Sequence, residues 1–277
     1  MNLPPSVRLS GSGYPVFEID HPTCKARVAL HGAHVTEWCP AGEEEVLYLS
    51  PDAVYKEGKA IRGGIPVCWP WFNAHPADPE QPSHGLVRGR FWELLDAAED
   101  PSGVTLRFGI RVGIWNAEIT VKAGEELEVT LESKNVSEVP IVVSGALHTY
   151  LGVSDISQVR IVNLDGCAYQ DTVGEPEMRK QKGDVTFDRE VDRIYESSSS
   201  TLIVDDLSGR TILIEKSGSP STVVWNPWAE KAAATGDMPD DGYRKFCCIE
   251  AAIANDRAVV VMPGSSHVLS TRISVEE

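Results

Sequence analysis

The sequence predicts an all-β protein of many antiparallel strands. Segments in which apolar and polar residues alternate recur along the 277 residues, and a period of two is typical of half-buried strands. Clusters of Gly, Pro, Asn and Asp separate these segments, and no amphipathic helix longer than about three turns is visible. Because no repeat occurs at a propeller or solenoid period, a large two-sheet sandwich is favoured over a propeller.

The predicted strands are distributed over most of the chain. In order, they are Arg27–Leu30, Val104–Phe108, Leu127–Glu132, Thr201–Val204, Arg210–Ile214, Ser221–Trp225 and Arg257–Met262. The Ser197–Ser200 run is short and continues directly into strand-like sequence, so it is not typical of a linker. Residues 1–277 are therefore predicted to form one domain.

Two segments interrupt the alternation with large aromatic residues. Residues Ala60–Phe72 read AIRGGIPVCWPWF, and residues Thr222–Trp228 read TVVWNPW. Tryptophans at loops and strand ends are costly to leave in water, so we expect them to plug the sandwich or to line a pocket. Indole rings also suit the apolar faces of sugars.

The charge of the chain limits the classes of partner. It carries 41 acidic against 25 basic residues, a net charge of −16, and no Lys/Arg run that could follow a nucleic-acid backbone. Nucleic acid is therefore not an expected partner. An anionic small molecule would be repelled at long range, so its site would need a few Arg residues that create a local positive pocket.

The sequence indicates a cytoplasmic protein. Its N-terminus lacks the basic and apolar regions of an export signal, and no window approaches about 18 uninterrupted apolar residues, so no membrane association is expected. The six cysteines show no CxxC spacing and are expected to be reduced thiols. Cys247 and Cys248 would face opposite sides of a strand, which would strain a disulfide between them.

Three residues are candidates for proton chemistry or sugar binding. His148 follows the apolar run Ile141–Val143, and imidazole exchanges protons near neutral pH. Glu250 lies within an apolar strand-like segment, where a carboxylate needs partners or a raised pKa. Asp192 lies in Val191–Tyr195. Seen alone, each has a structural alternative. His148 could be a hydrogen-bonded structural histidine, Glu250 a member of a buried ion pair, and Asp192 a surface salt-bridge or turn-capping carboxylate.

Arg62 and Arg88 lie in glycine-containing loops. Such loops let ligand oxygens approach closely, and a guanidinium group matches phosphate geometry. Either arginine alone would more often be a solvated or salt-bridged surface residue. His84, in the loop of Arg88, either adds a hydrogen bond or orders the loop.

Other chemistries have little support in the sequence. His31 and His34 lie in a strand-like region without a third ligand nearby, so no metal site is expected there. The sequence contains no P-loop, no dinucleotide-binding glycine pattern and no GxSxG elbow. Nucleotide cofactors and serine hydrolysis are therefore unsupported.

Six motifs together resemble the glucose-6-phosphate 1-epimerase (hexose-6-phosphate mutarotase) family. In chain order they are AIRGGIPVCWPWF, SHGLVRGRFWEL, ALHTYLGVSDI, VDRIY, VVWNPW and CIEAA, and the match extends over roughly residues 30–255. The resemblance implies a galactose-mutarotase-like β-supersandwich without metal or organic cofactor. It also implies an isomerase that interconverts the α and β anomers of a hexose 6-phosphate such as glucose 6-phosphate. We expect this enzyme to be a monomer.

Position by position, the resemblance makes His148 the general acid and Glu250 the general base, with both arginines directed at the phosphate. Mutarotation needs one base for the anomeric hydroxyl and one acid for the ring oxygen. We therefore expect the two catalytic side chains to face each other across a sugar-sized cleft, with room for the hemiacetal between them. The predicted substrate-binding residues are Arg62, Ser83, His84, Arg88, Asp192 and Trp225.

Two departures from the family pattern are visible. Ser83 stands where the family can carry Gln, which has a longer reach. Ala251 follows Glu250 where Pro is expected, a change that alters the loop but leaves the carboxylate in place.

Three alternative functions stay open at this point. An aldose 1-epimerase acting on unphosphorylated sugars shares the acid and the base but has no need of the two loop arginines. A noncatalytic carbohydrate-binding β-sandwich would use Trp69, Trp225 and Trp228 to stack on sugars. A glycosidase using Asp192 and Glu250 would leave the histidine without a role.

Overall fold

The structure, a computed structural model, describes residues 2–276. Within this range the chain forms 23 strands, one short α-helix (α1, Trp228–Ala233) and three 3₁₀ helices (Ile156–Gln158, Gly242–Lys245 and Asn255–Arg257). The strands are β1 Val7–Ser10, β2 Val16–His21, β3 Cys24–Ala29, β4 His34–Pro40, β5 Val67–Cys68, β6 Glu93–Asp100, β7 Gly103–Val112, β8 Trp115–Gly124, β9 Leu127–Asn135, β10 Ile141–Val143, β11 Gly145–Leu147, β12 Tyr150–Gly152, β13 Val159–Val162, β14 Ala168–Asp171, β15 Glu177–Lys180, β16 Val185–Thr186, β17 Val191–Tyr195, β18 Thr201–Asp205, β19 Arg210–Ser217, β20 Ser221–Asn226, β21 Phe246–Ile253, β22 Val259–Val261 and β23 Ser266–Glu276. None of the helices among these residues is long and apolar enough to cross a bilayer.

Two large sheets form the sandwich. The first has nine strands in the order β16-β13-β18-β19-β23-β9-β8-β7-β6. The second has eight, in the order β15-β14-β17-β20-β21-β11-β5, with β12 also paired to β21. A four-stranded sheet, β1 to β4, and the two-stranded sheet β10-β22 complete the fold. The ladders are antiparallel, which confirms the predicted all-β fold.

Side chains of the three larger sheets meet in one main hydrophobic core. The rings of Phe17 (β2) and Phe108 (β7) lie 5.6 Å apart, so the four-stranded sheet packs on the nine-stranded sheet. The indole nitrogen of Trp69, just after β5, donates to Ser133 Oγ on β9 at 2.8 Å. Trp69 is 1% exposed and therefore plugs the sandwich, one of the two expected roles for the tryptophans.

Strand β21 carries Glu250, the predicted general base. All eight of its residues are buried, because it lies between β20 and the β11/β12 strands and is covered on both faces. Cys247, Ile249 and Ala251 join the main core, so Glu250 faces the opposite side of the sheet. Cys247 and Cys248 point in opposite directions as expected, and the cysteines are free.

The last predicted strand is partly wrong. Residues Arg257–Met262 were expected to be one strand, but Asn255–Arg257 form a 3₁₀ helix and only Val259–Val261 pair, with β10. Leu30 also falls just beyond the end of β3. The other predicted segments lie inside observed strands.

Candidate active site

The eight residues predicted for the site line one cavity of about 550 Å³ on the face of the eight-stranded sheet opposite the main core. They are Arg62, Ser83, His84, Arg88, His148, Asp192, Trp225 and Glu250. Three separate loops and three strands of this sheet contribute them. The structure therefore brings together residues that are up to 188 positions apart in the chain (250 − 62).

A row of directly paired residues forms the cavity floor. Asp192 on β17 pairs with Trp225 on β20, which pairs with Cys248 on β21, which in turn pairs with Tyr150 on β12. Paired residues in a ladder place their side chains on the same face. Glu250 is two residues beyond Cys248 and so lies on this face as well.

His148 is held in the short link between β11 and β12. Its backbone N–H donates to the Pro66 carbonyl at 3.0 Å. Its ring stacks on Tyr150, with centroids 4.8 Å apart and planes inclined by 12°, and it meets Trp225 edge-on at 5.6 Å. These aromatic contacts fix the orientation of the imidazole, whose side chain is 12% exposed.

The two catalytic candidates touch each other. His148 Nε2 lies 3.4 Å from Glu250 Oε1, and the Glu250 side chain is only 1% exposed. The expectation that they leave room for a hemiacetal between them is therefore wrong: a sugar has to lie on the cavity side of both groups. Glu250 Oε2 and His148 Nδ1 have no hydrogen-bond partner in residues 2–276, so the pair retains polar atoms that are not used by the fold.

Burial sets the protonation of both groups. It raises the pKa of Glu250 well above its usual range, and the charge of Asp192 acts in the same direction. Burial also lowers the pKa of His148 far below its ordinary value, helped by His84 and the positive Arg88 and Arg62. A low-dielectric site disfavours the charged form of each group. Burial in this cavity therefore favours the neutral form of both groups.

Arg62 is directed at protein groups. Its Nε donates to Asp237 Oδ1 at 2.9 Å, and its Nη1 donates to the Tyr150 hydroxyl at 3.0 Å. Ser50 Oγ donates to the main-chain carbonyl of Asp237 at 2.8 Å, which fixes that partner. The orientation of Arg62 thus differs from the sequence-based expectation of an arginine directed at a phosphate, because its charge already has a carboxylate beside it.

Arg88 and His84 belong to one tightly built loop. Arg88 Nη2 donates to the Ser83 carbonyl at 3.0 Å, and the His84 backbone N–H donates to the Asn73 carbonyl at 2.8 Å. Burial, followed by the charges of Arg88 and Arg62, lowers the pKa of His84 to about 4. His84 is therefore neutral at physiological pH and acts through hydrogen bonds.

Asp192 and Trp225 are paired neighbours on the cavity floor. Burial raises the pKa of Asp192, and its main-chain carbonyl accepts hydrogen bonds from Thr172 N and Oγ1 at 2.9 and 3.0 Å. Trp225 lines the cavity. Trp69 is buried in the sandwich and Trp228 packs on Tyr243, with centroids 5.1 Å apart, so the three-tryptophan platform considered for a noncatalytic sugar binder is not assembled.

Sequence reasoning did not assign several cavity residues to the site, among them Lys59, Tyr150, Lys231 and Asp237. Tyr150 follows His148 by two positions, and the period of two in strands is a signal that could have identified it. Lys231 and Asp237 come from α1 and the segment after it. No local pattern marks them, because their approach to the cavity depends on the tertiary fold.

The histidines considered for metal have other surroundings. His34 Nε2 donates to the Gly63 carbonyl at 2.7 Å, and His31 packs against Tyr14 and Phe91. Across residues 2–276 there is no group of three or more His, Cys, Asp or Glu side chains placed to hold a metal ion.

Comparisons with known proteins agree with this architecture. The sequence profile of the aldose 1-epimerase family matches residues 15–274. A protein of Escherichia coli K12 described as "Putative glucose-6-phosphate 1-epimerase" is 38% identical over 261 residues, which cover 90% of this chain and 87% of that protein. The crystal structure of "a putative mutarotase (YeaD)" from Salmonella typhimurium superposes with a TM-score of 0.93 at 33% identity, covering 100% of this chain and 95% of the other.

A more distant structure extends the likeness in fold. The galactose mutarotase related enzyme from Lactobacillus acidophilus has a TM-score of 0.73 at 10% identity and covers 95% of this chain and 97% of its own. The predicted galactose-mutarotase-like architecture is thereby confirmed. With a family profile over nearly the whole chain and a shared sandwich, this chain belongs to the aldose 1-epimerase family of isomerases.

Proposed function

We propose that this protein is a hexose-6-phosphate mutarotase that interconverts the α and β anomers of glucose 6-phosphate. The observation that carries the proposal is the buried contact between His148 and Glu250 in a cavity that also contains Arg88. The description of the Escherichia coli relative supports a sugar phosphate as substrate. The enzyme works as a monomer in the cytosol.

Ring opening uses both groups at once. The Glu250 carboxylate accepts the proton of the anomeric hydroxyl, while the His148 imidazolium donates a proton to the ring oxygen. The bond between the anomeric carbon and the ring oxygen breaks, and an open-chain aldehyde forms. Rotation about the neighbouring carbon–carbon bond turns the aldehyde over, and reclosure gives the other anomer.

The protons balance over the cycle. The resting pair, with a protonated Glu250 and a neutral His148, becomes the reactive ion pair when one proton crosses the 3.4 Å contact. Opening returns the pair to its neutral form. In reclosure the neutral His148 takes the proton of the attacking hydroxyl, and Glu250 protonates the aldehyde oxygen. Each positioned proton-transfer group contributes about a hundredfold to ten-thousandfold in rate.

The positive groups of the cavity provide affinity for the phosphate. The chain repels a dianion at long range because of its net charge of −16, so binding depends on short-range contacts. Arg88 is placed to make such a contact, with His84 as a neutral hydrogen-bonding neighbour. Asp192 and Trp225 bind the sugar itself, the first through its hydroxyl groups and the second through its apolar face.

Exchange spectroscopy by NMR tests the proposal. We expect the purified protein to accelerate exchange between the α and β anomeric protons of glucose 6-phosphate, and Glu250→Gln or His148→Asn to lower the rate by about a hundredfold or more without loss of fold. Circular dichroism is the control for folding. Near-normal exchange in either variant would refute the assigned roles, and a wild type that prefers free glucose would make the neutral-sugar epimerase the better assignment.

A further inference from the structure

Four cationic side chains line the cavity, and they fall into two classes. Arg62 is paired with Asp237 at 2.9 Å, and Lys231 is paired with Glu190 at 2.7 Å. Lys59 and Arg88 also line the cavity but form no ion pair with a carboxylate within residues 2–276. A dianionic ligand near Arg62 or Lys231 has to compete with the carboxylate already present, whereas Lys59 and Arg88 have no such competitor.

The two unpaired cations come from loops that are in direct backbone contact. The Gly58 backbone N–H donates to the Gly89 carbonyl at 2.8 Å, and these glycines are the chain neighbours of Lys59 and Arg88. A Cβ on Gly89 would lie 3.0 Å from the Gly58 carbonyl carbon, so a glycine lets the two backbones approach this closely. The contact joins the loop that carries Lys59 to the loop that carries Arg88.

Lys59 and Arg88 differ in their depth in the cavity. Arg88 Nη2 donates to the carbonyl of Ser83, the chain neighbour of His84, and the His84 ring lies 6.3 Å from the His148 ring, so Arg88 belongs to the loop at the reacting end of the cavity. Lys59 is exposed on the outer side. In a hexose 6-phosphate the ester is carried by the carbon next to the one that bears the ring oxygen. The phosphate thus lies only a few bonds from the ring oxygen that faces His148 in the proposed mechanism, and Arg88 and the long, flexible Lys59 are the cations of this cavity that are free to receive it.

We infer that Lys59 and Arg88 together form the phosphate subsite, and that Lys59 is a residue that sets the preference for phosphorylated over free sugars. The inference rests on the proposed function and adds the recognition group that the loop arginines alone do not provide. Arg88 offers fixed, directional donors, and Lys59 adds a second charge from the solvent side, so the phosphate is held between them.

The matched variants Lys59→Ala and Lys56→Ala test this inference. Both lysines are exposed on the same loop, and the Lys59 backbone N–H donates to the Lys56 carbonyl at 3.0 Å. Each substitution changes the net charge by one unit, but only Lys59 lines the cavity. We expect Lys59→Ala to lower kcat/KM for glucose 6-phosphate by about fivefold to thirtyfold, mainly through KM. Its rate with free glucose and both rates of Lys56→Ala should stay within about twofold of wild type.

Three results would overturn the inference. Equal effects of the two lysine variants would mean that only net charge matters. An equal loss on both sugars in Lys59→Ala would mean that the lysine shapes the loop. Failure of Lys59→Arg to retain most of the preference for the phosphorylated sugar would mean that the charge is not the active property.

A binding measurement separates this inference from the proposed function. Calorimetric titration of glucose 6-phosphate into Glu250→Gln, with and without Lys59→Ala, reports phosphate recognition in the absence of turnover. Weaker binding in the double variant supports the subsite even if the wild type does not catalyse anomer exchange. Equal binding overturns the subsite even if the wild type is an active mutarotase.

Discussion

Glu250 combines two properties that oppose each other within one side chain. Its position in a fully buried strand makes the ionised form unfavourable, while the proposed reaction requires that form during ring opening. Asp192 raises the pKa of Glu250 further, whereas Arg88 lowers it. The fold therefore disfavours ionisation of Glu250 at the place of the proposed proton transfer, which predicts a conflict between stability and activity.

The variant Glu250→Gln should be inactive and more stable than wild type near neutral pH. The pKa of Glu250 in the folded state lies above its unfolded value near 4.5, so the folded state favours the protonated carboxyl group. Below pH 4.5 the carboxyl group is neutral in both states, and the variant has no advantage. As the pH rises from about 4.5 to the folded-state pKa, Glu250 ionises readily only in the unfolded protein. The free energy of unfolding of the wild type therefore falls relative to that of Glu250→Gln.

Urea unfolding of both proteins at a series of pH values measures this effect. The exposed Glu125 provides the control, since Glu125→Gln should show no such pH-dependent gain. A Glu250→Gln variant that is less stable than wild type near neutral pH would show that the ionised carboxylate is stabilised by the fold, against the direction of its pKa shift.

The two loop arginines should differ in their effect on substrate choice. Arg62 contacts Tyr150, on which His148 stacks, so Arg62→Ala should lower kcat for glucose 6-phosphate and for free glucose by similar factors. Arg88→Ala should weaken use of the phosphate ester by about tenfold to a hundredfold more than use of free glucose. Anomer exchange on both sugars measures the two ratios. A selective loss of the phosphorylated substrate in Arg62→Ala would restore Arg62 as a phosphate ligand.

At the scale of elements, the site depends on loops that pack backbone against backbone. Gly85 follows His84 and has a φ of +80°, and a Cβ at this position would lie 2.0 Å from the Trp69 carbonyl oxygen. The neighbouring His84 also has a positive φ, of 64°. The conformation of this turn is therefore set by the close contact with the segment that follows β5.

We expect Gly85→Ala to destabilise the protein and to lower its activity, because the new methyl group displaces the loop that carries His84 and Arg88. Gly174 is the matched control, since its φ is +78° but nothing lies within 4 Å of an added Cβ. Gly174→Ala should lose only about 1 kcal/mol from backbone strain, while Gly85→Ala loses this and the cost of the clash. Urea unfolding measures the difference, and equal losses would contradict the packing argument.

The seven strand segments predicted from the sequence are a minority of the 23 strands, and alternation succeeded where a strand is long enough to show which of its faces is buried. Its weakest point was Arg257–Met262, where a 3₁₀ helix precedes a strand of three residues, since such short elements carry too little pattern to separate. The eight site residues were found through sequence motifs. The contacts among their side chains were not predicted from the sequence. These contacts depend on the order of β17, β20, β21 and β12 in the sheet, which is set by long-range pairing that alternation does not encode.

At the scale of the whole molecule, the shared core predicts one cooperative unit. The Trp38 indole on β4 donates to the Gly124 carbonyl at 3.1 Å, and Trp69 bonds to Ser133 on the nine-stranded sheet, so the three larger sheets are packed together. We expect thermal unfolding in a single transition, with calorimetric and van't Hoff enthalpies in agreement. Two resolved transitions in calorimetry would contradict the single-domain prediction.

In the proposed mechanism, the buried contact between His148 and Glu250 supplies the proton for ring opening from within the protein. Both side chains are nearly inaccessible to water, and the proposed cycle ends with the same number of protons on the pair as it began. In the absence of enzyme, dissolved buffer species act as the general acids and bases of mutarotation, so the rate rises with buffer concentration. An enzyme that carries its own exchangeable proton has no such requirement, and its turnover should be unchanged when phosphate or imidazole buffer is diluted at constant pH and ionic strength.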